Sequence, residues 1–231
     1  MNESLRRMLP ASITFIGLVC GFAAVVLALH QELARAGICI LGGYILDALD
    51  GEVARRLRVE SAFGLQLDSL SDIVTFGIAP SVLAYQYSRQ LSITPAITWV
   101  VCSGYIVGGA FRLARFNLLP HKGSQSDNIG LTISTSGATL VLIVLANGLY
   151  DQGLFPEGVF PVLIVVLTLL MISRIRYPAL FPLVRRLWLD LVGLSILGAL
   201  AIWLSPQLVG LGLAGSYVSF GLIRAIYNLI R

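Results

Sequence analysis

Between Arg7 and Glu32 the chain carries no charged residue, and an apolar run of that length has few places to go. About 20 consecutive apolar residues cross the hydrocarbon core of a bilayer as an α-helix. Inside lipid, only a helix or a closed barrel satisfies its own backbone. The run is too long for the apolar core of a secretory signal and shows no convincing cleavage site, so it reads as a true span, Pro10 to Leu29. Further helices are expected over Ala36–Leu57, Gly64–Tyr87, between Arg89 and Arg112, over Ile129–Tyr150 and over Val159–Ser173. A last stretch, Leu191–Ile223, is too long for one helix. Ser205-Pro206 divides it, because proline lacks an amide donor and the residue before it avoids helical geometry. The expectation is an all-α, polytopic membrane bundle of about eight transmembrane helices. Charge content agrees: 12% of the 231 residues are charged, about half the share of a soluble domain.

The basic residues test that count. With the N-terminus inside and each span crossing once, inside segments hold Arg6, Arg7, Arg55, Arg56, Arg58, Arg112, Arg115, Lys122, Arg174, Arg176, Arg185, Arg186, Arg224 and Arg231. Outside segments hold only Arg35 and Arg89. That bias is what the positive-inside rule requires, and it predicts both termini in the cytoplasm. The net charge of +4 forms no continuous stripe, which argues against a nucleic-acid partner. Cys20, Cys39 and Cys102 are isolated in apolar stretches, and His30 and His121 have no partner at zinc spacing.

Four acids stand where a bilayer makes them costly. Asp47 and Asp50 lie near the arginine-rich end of the second span, and Asp68 and Asp72 near the same end of the third. Residues three or four apart share a helix face, so each pair projects from one side, and the intervening loop lets the two faces converge. Each buried charge costs about 2.5–3.5 kcal/mol at a helix centre, roughly 10 kcal/mol for the set if nothing compensates. Arginine partners or hard divalent cations are the available remedies. An all-carboxylate set suits Mg²⁺, Mn²⁺ or Ca²⁺ rather than zinc or copper. Gly51, Ala54 and Gly64 flank the acids, and small residues admit a neighbouring helix or a ligand phosphate to the backbone.

The segment from Asp47 to Asp72 reads D-x-x-D-G-x-x-A-R, eight residues, then G-x-x-x-D-x-x-x-D. It resembles, without exception, the signature of the CDP-alcohol phosphatidyltransferase family. Asp68 to Ser81, Arg112 to Asn117 and Ser173 to Pro178 are similar to motifs of the phosphatidylserine synthase branch. The likeness runs from about Pro10 to Pro182. Two departures stand out. The Pro-Asn that often precedes the first helix is Pro10-Ala11, with Thr14 kept, and the branch's Gly-Leu-Pro is Gly130-Leu131-Thr132.

The resemblance implies a core domain over residues 1–182; the two helices expected in residues 183–231 lie beyond it and match only in being apolar. It implies CDP-diacylglycerol as donor, L-serine as acceptor and CMP as leaving group. Two divalent ions, Mg²⁺ or Mn²⁺, would be held by Asp47, Asp50, Asp68 and Asp72, with Asp72 accepting the hydroxyl proton. Thr14, Asp50, Gly51, Ala54, Arg55 and Gly64 would bind the CDP-lipid. Arginine matches a carboxylate bidentately, which makes Arg112 and Arg115, with Asn117, the candidates for the acceptor. Arg174 and Arg176 are either lipid-phosphate ligands or membrane-surface anchors. The family also implies a homodimer in a prokaryotic plasma membrane, with the site facing the cytoplasm. The alternatives are another acceptor (glycerol 3-phosphate or inositol phosphate), an archaeal ether-lipid donor, or, more remotely, an ion-coupled transporter.

Overall fold

The structure is a computed structural model that describes residues 3–59, 61–118, 128–149, 153–177 and 205–230. Helix α1 (Glu3–Leu29) turns through Gln31, at φ 65°, into the antiparallel α2 (Leu33–Leu57). The third span is interrupted: α3 (Ala62–Asp72) passes through a π-helical segment (Ile73–Ile78) into α4 (Ala79–Ser88). Then come α5 (Pro95–Leu118), α6 (Ile133–Asn147) and α7 (Val159–Ile172). A two-residue ribbon, β1 (Asn128–Ile129) antiparallel to β2 (Arg176–Tyr177), brackets α6 and α7, and α8 (Pro206–Ile230) packs on α6.

The described residues form a helical bundle with seven helical passes, counting α3 to α4 as one. The break at Ser205-Pro206 falls where the sequence places it, with Ser205 at φ 91° and proline opening α8. The expected pass over Leu191–Leu204 lies outside the described residues. Four stretches are long and apolar enough to cross a bilayer: Met8–Leu29, Ala62–Ser88, Pro95–Leu118 and Pro206–Arg224. The fifth expected span is shorter as a helix, at 15 residues, while the sixth, Val159–Ile172, falls where the sequence places it. The ends of α6 are trimmed by the Thr132 cap, the Gly130 turn at φ 79°, and the Asn147 side chain, which accepts from the amides of Leu154 and Phe155.

Phe15, Val19, Phe22, Trp99, Val107, Val162 and Leu169 lie exposed on the outer faces of α1, α5 and α7. In water that coat would be an aggregation surface; against acyl chains it is the matching solvent. Inside, close approach is bought by small residues. A Cβ on Gly21 would come within 2.8 Å of Thr75 Cα, and one on Gly137 within 2.9 Å of the Phe76 carbonyl. Thr75 also donates to the Gly17 carbonyl at 3.3 Å. The π-helical segment is thus gripped by α1 and α6 just beyond Asp72.

Each end of the bundle is tied separately. At the end away from the acids, Gln31 donates to Gln86 at 2.9 Å, the Ser92 amide donates to Glu157 at 2.8 Å, and Asn147 bonds Tyr87. At the acid end, α2 stops at Arg58, at φ 54°, whose amide donates back to Ala54 and Arg55 carbonyls. The α3 start is capped by Ser61, which accepts from the Gly64 amide at 3.0 Å. Both acid-bearing helices pack on α1.

Candidate active site

The four acids converge. One carboxylate oxygen from each of Asp47, Asp50 and Asp68 lies within 4.8 Å of the others. Asp72 lines the same pocket and sits against Asp47. Asp50 and Asp72 are buried, at 5% and 8% exposure. The faces that helix spacing predicts for each pair therefore meet in one pocket, with α2 and α3 each packed on α1.

Neighbouring hydroxyls hold these carboxylates in place. Thr14 of α1 donates to Asp50 Oδ2 at 2.6 Å, and Ser71 donates to the Thr14 carbonyl at 3.3 Å, which ties α3 to the same turn of α1. Ser134, in the first turn of α6, faces Asp47. Three carboxylates packed so closely, with hydroxyls orienting them and only oxygen donors present, fit a hard divalent cation. Asp47, Asp50 and Asp68 are the residues placed to hold it.

Beside the acids, Gly51 and Gly64 keep open ground. A Cβ on Gly51 would meet only the Arg55 guanidinium, at 3.4 Å, and one on Gly64 only the Ser61 hydroxyl, at 3.2 Å. Among the described residues no neighbouring helix fills that side, so the small residues leave room for a ligand there. Ala54 is half-buried on the same helix. Arg55 is exposed and donates to Glu52 at 3.2 Å, and Glu52 also accepts from Arg56 at 2.6 Å. The 3- and 4-residue spacing of Glu52, Arg55 and Arg56 was the signal for that ion-pair group.

The three acceptor candidates separate. Arg112 is buried, at 6% exposure, within electrostatic reach of Asp72, Asp47 and Asp68. Its guanidinium lies over the Phe116 ring at 5.6 Å. Among the described residues no ion pair within 4.0 Å reaches it, and its Nε has no hydrogen-bond partner. Arg115 is employed differently: it donates to the carbonyls of Ile129, Met171, Ile172 and Ser173 at 2.7–3.3 Å. Those bonds cap the C-terminus of α7 and clip β1 to it. Asn117 donates to Ser69 at 3.0 Å, joining α5 to α3. Arg174 and Arg176 are exposed.

Several members of the site were not picked out from sequence. Ser134 belongs to the hydroxyl run Thr132–Thr135, whose place in an apolar stretch was a usable signal. Ser71 and Thr75 shared the Asp68–Asp72 face by helical spacing.

A bundle of this kind, with a carboxylate nest at one end of two neighbouring membrane helices, defines an integral membrane protein built to handle a cation-bound anionic group. The chain belongs to the CDP-alcohol phosphatidyltransferase family, whose model matches residues 7–173. It is therefore a transferase of phospholipid synthesis, and that family uses a divalent metal and a CDP-activated substrate. A protein of Helicobacter pylori named CDP-diacylglycerol–serine O-phosphatidyltransferase is 32% identical to it, over 97% of this chain and 93% of its own length. A protein of the same name from Methanocaldococcus jannaschii is 32% identical over 99% and 96%. One from Bacillus subtilis is 36% identical over 58% of this chain and 74% of its own.

Proposed function

We propose that this protein transfers the phosphatidyl group of CDP-diacylglycerol to L-serine, releasing CMP, at a site open to the cytoplasm of a prokaryotic cell. The observation that carries the reading is the nest of Asp47, Asp50 and Asp68 oxygens within 4.8 Å of one another, beside the open ground over Gly51 and Gly64. The names of the relatives support serine as acceptor. The guanidinium of Arg112, the buried one among the described residues, suits a carboxylate.

Asp47, Asp50, Asp68 and Asp72 would hold two Mg²⁺ or Mn²⁺ ions, with Thr14 fixing the Asp50 rotamer. Bound there, the ions supply positive charge against the diphosphate and the departing CMP oxygen. Gly51, Ala54 and Gly64 admit the CDP moiety to the α2 and α3 backbones, and Arg55 swings from Glu52 to a donor phosphate. Asp72 accepts the serine hydroxyl proton as that oxygen bonds to the phosphatidyl phosphorus. The phosphorus–oxygen bond to CMP breaks, and its electron pair leaves with the nucleotide. An aspartate is a weak base for an alcohol, so charge stabilisation carries most of the acceleration. A homodimeric state rests on the resemblance alone; cross-linking in native membranes tests it.

The test is CMP release from CDP-diacylglycerol with L-serine, glycerol 3-phosphate or inositol phosphate as acceptor. Serine alone should support turnover, and Asp50→Asn should abolish it while the protein still inserts. Retained turnover in that variant would falsify the site.

A further inference from the structure

Arg55 lies across the ground that Gly51 leaves. Its guanidinium is folded back along α2 over that glycine: a Cβ on Gly51 would lie 3.4 Å from Nη1, 3.9 Å from Nη2 and 4.0 Å from Cζ. The positive charge is thus parked on the surface that is to admit the donor, one residue from Asp50 of the nest. Glu52 holds it there. Glu52 Oε2 accepts from Arg55 Nη2 at 3.2 Å, and Glu52 Oε1 accepts from Arg56 Nε at 2.6 Å. The two bonds are unequal. Arg56 has the shorter one and turns to water, with 76% of its side chain exposed against 41% for Arg55. The Glu52 side chain is only 20% exposed, where a carboxylate without a partner is costly. Arg56 keeps that carboxylate paired when Arg55 leaves, so the release of Arg55 strands no charge.

We propose that Glu52 is a positioning residue for the donor: it latches Arg55 across Gly51 while the site is empty, and the diphosphate enters by taking Arg55 from it. This rests on the reading above of Gly51 and Arg55 as donor contacts. A phosphate accepts two parallel bonds from a guanidinium, which favours the exchange, yet Glu52 competes for the same donor groups and so weakens donor binding. Glu52 touches neither substrate nor metal in this scheme and acts only through Arg55. Its removal should therefore tighten the donor, and only in a protein that still has Arg55.

The experiment uses the full chain in nanodiscs with Mn²⁺. CDP-diacylglycerol, L-serine and Mn²⁺ are varied separately, and CMP release is measured. Glu52→Gln should lower the KM for CDP-diacylglycerol about two- to fivefold, the range an exposed ion pair covers, and leave the serine KM and the half-saturating Mn²⁺ within about twofold. A pair that only stabilises α2 leaves the donor KM unchanged or raises it, and either result overturns the latch. A change in Mn²⁺ requirement of the same size as the change in donor KM also overturns it, because the effect then lies in the nest. A second arm separates the latch from the mere loss of a negative charge. Arg55→Gln should raise the donor KM about tenfold or more, and adding Glu52→Gln to it should move that KM by less than about 1.5-fold. A full two- to fivefold fall in the double variant overturns the latch. Should Glu52→Gln fail to fold, Glu52→Ala removes the same acceptor and is read in the same way. An unmoved donor KM in Arg55→Gln removes the donor role of Arg55 and the latch together. A raised KM there, with Glu52→Gln unmoved, removes the latch alone.

Discussion

Asp68→Asn should make the cation-free protein more stable while destroying its response to metal. The oxygens of Asp47, Asp50 and Asp68 lie within 4.8 Å of one another. At that separation two unit charges repel by about 3.5 kcal/mol at an effective dielectric of ~20. The substitution removes two of the three repulsions in the nest and keeps the shape of the side chain. Solvent entry and proton uptake relax part of the strain; if a third of it survives, the variant gains about 2 kcal/mol, or roughly 4–8 °C in melting temperature for a chain of this size. Metal reverses the order. A cation at 100 times its Kd stabilises the wild type by about 2.7 kcal/mol, and the variant, short of one ligand, loses most of that. Melting followed by tryptophan fluorescence, in chelator and in Mn²⁺, reads both effects. A variant that melts below the wild type in chelator, or a wild type indifferent to Mn²⁺, Mg²⁺ and Ca²⁺ alike, would refute a repulsive, cation-binding nest.

Three further outcomes follow from named contacts. Thr14→Val removes the 2.6 Å bond to Asp50; because such outer partners tune metal affinity by about 10–100-fold, the Mn²⁺ needed for half-maximal CMP release should rise at least tenfold with little change in melting temperature. Gly137→Ala sets a Cβ 2.9 Å from the Phe76 carbonyl, a backbone atom that cannot swing aside, so a loss of about 1–3 kcal/mol is expected; melting at the wild-type temperature would show that α6 is not pinned there. Arg115→Ala abandons four backbone carbonyls and should lower the melting temperature more than Arg112→Ala does, whereas Arg112→Ala should lose serine turnover. The reverse ranking would exchange the roles assigned to the two arginines.

How far the sequence reached depends on what each residue does. Helix positions followed from apolar runs because lipid leaves the backbone no alternative, and the end of α2 near Leu57 followed from its change from apolar to charged residues. The acid nest was legible because i,i+3 and i,i+4 spacing fixes a shared face whatever surrounds it. Arg112 and Arg115, three residues apart on one helix, could not be told apart. Both are basic residues at the end of α5, and only the position of the α7 C-terminus turns one into a clip. Asn117 was likewise ambiguous, since Ser69, its partner, is 48 residues away. Long-range partners of this kind leave no periodic trace. The short length of α6 was hidden for a related reason: an apolar run continues past the residues where a hydroxyl cap or an asparagine side chain bounds the helix.

The π-helical segment is the element no spacing rule foresaw, and its location has a physical sense. Asp72 must face α2, yet the residues directly after it must fit against α1 and α6, where Gly21 and Gly137 leave room for little more than Thr75 and Phe76 backbone. A regular α-helix advances a fixed angle per residue and holds those two demands in one register. One wider turn, from Ile73 to Ile78, rotates α4 relative to α3 and meets both. Such a turn is intrinsically less favourable than α-helix, so it persists only where packing on both sides over-determines it. Thr75 supplies part of that packing with its bond to the Gly17 carbonyl at 3.3 Å. The wider turn thereby begins directly after Asp72, the proposed base, and the glycines of α1 and α6 set the packing that holds it there.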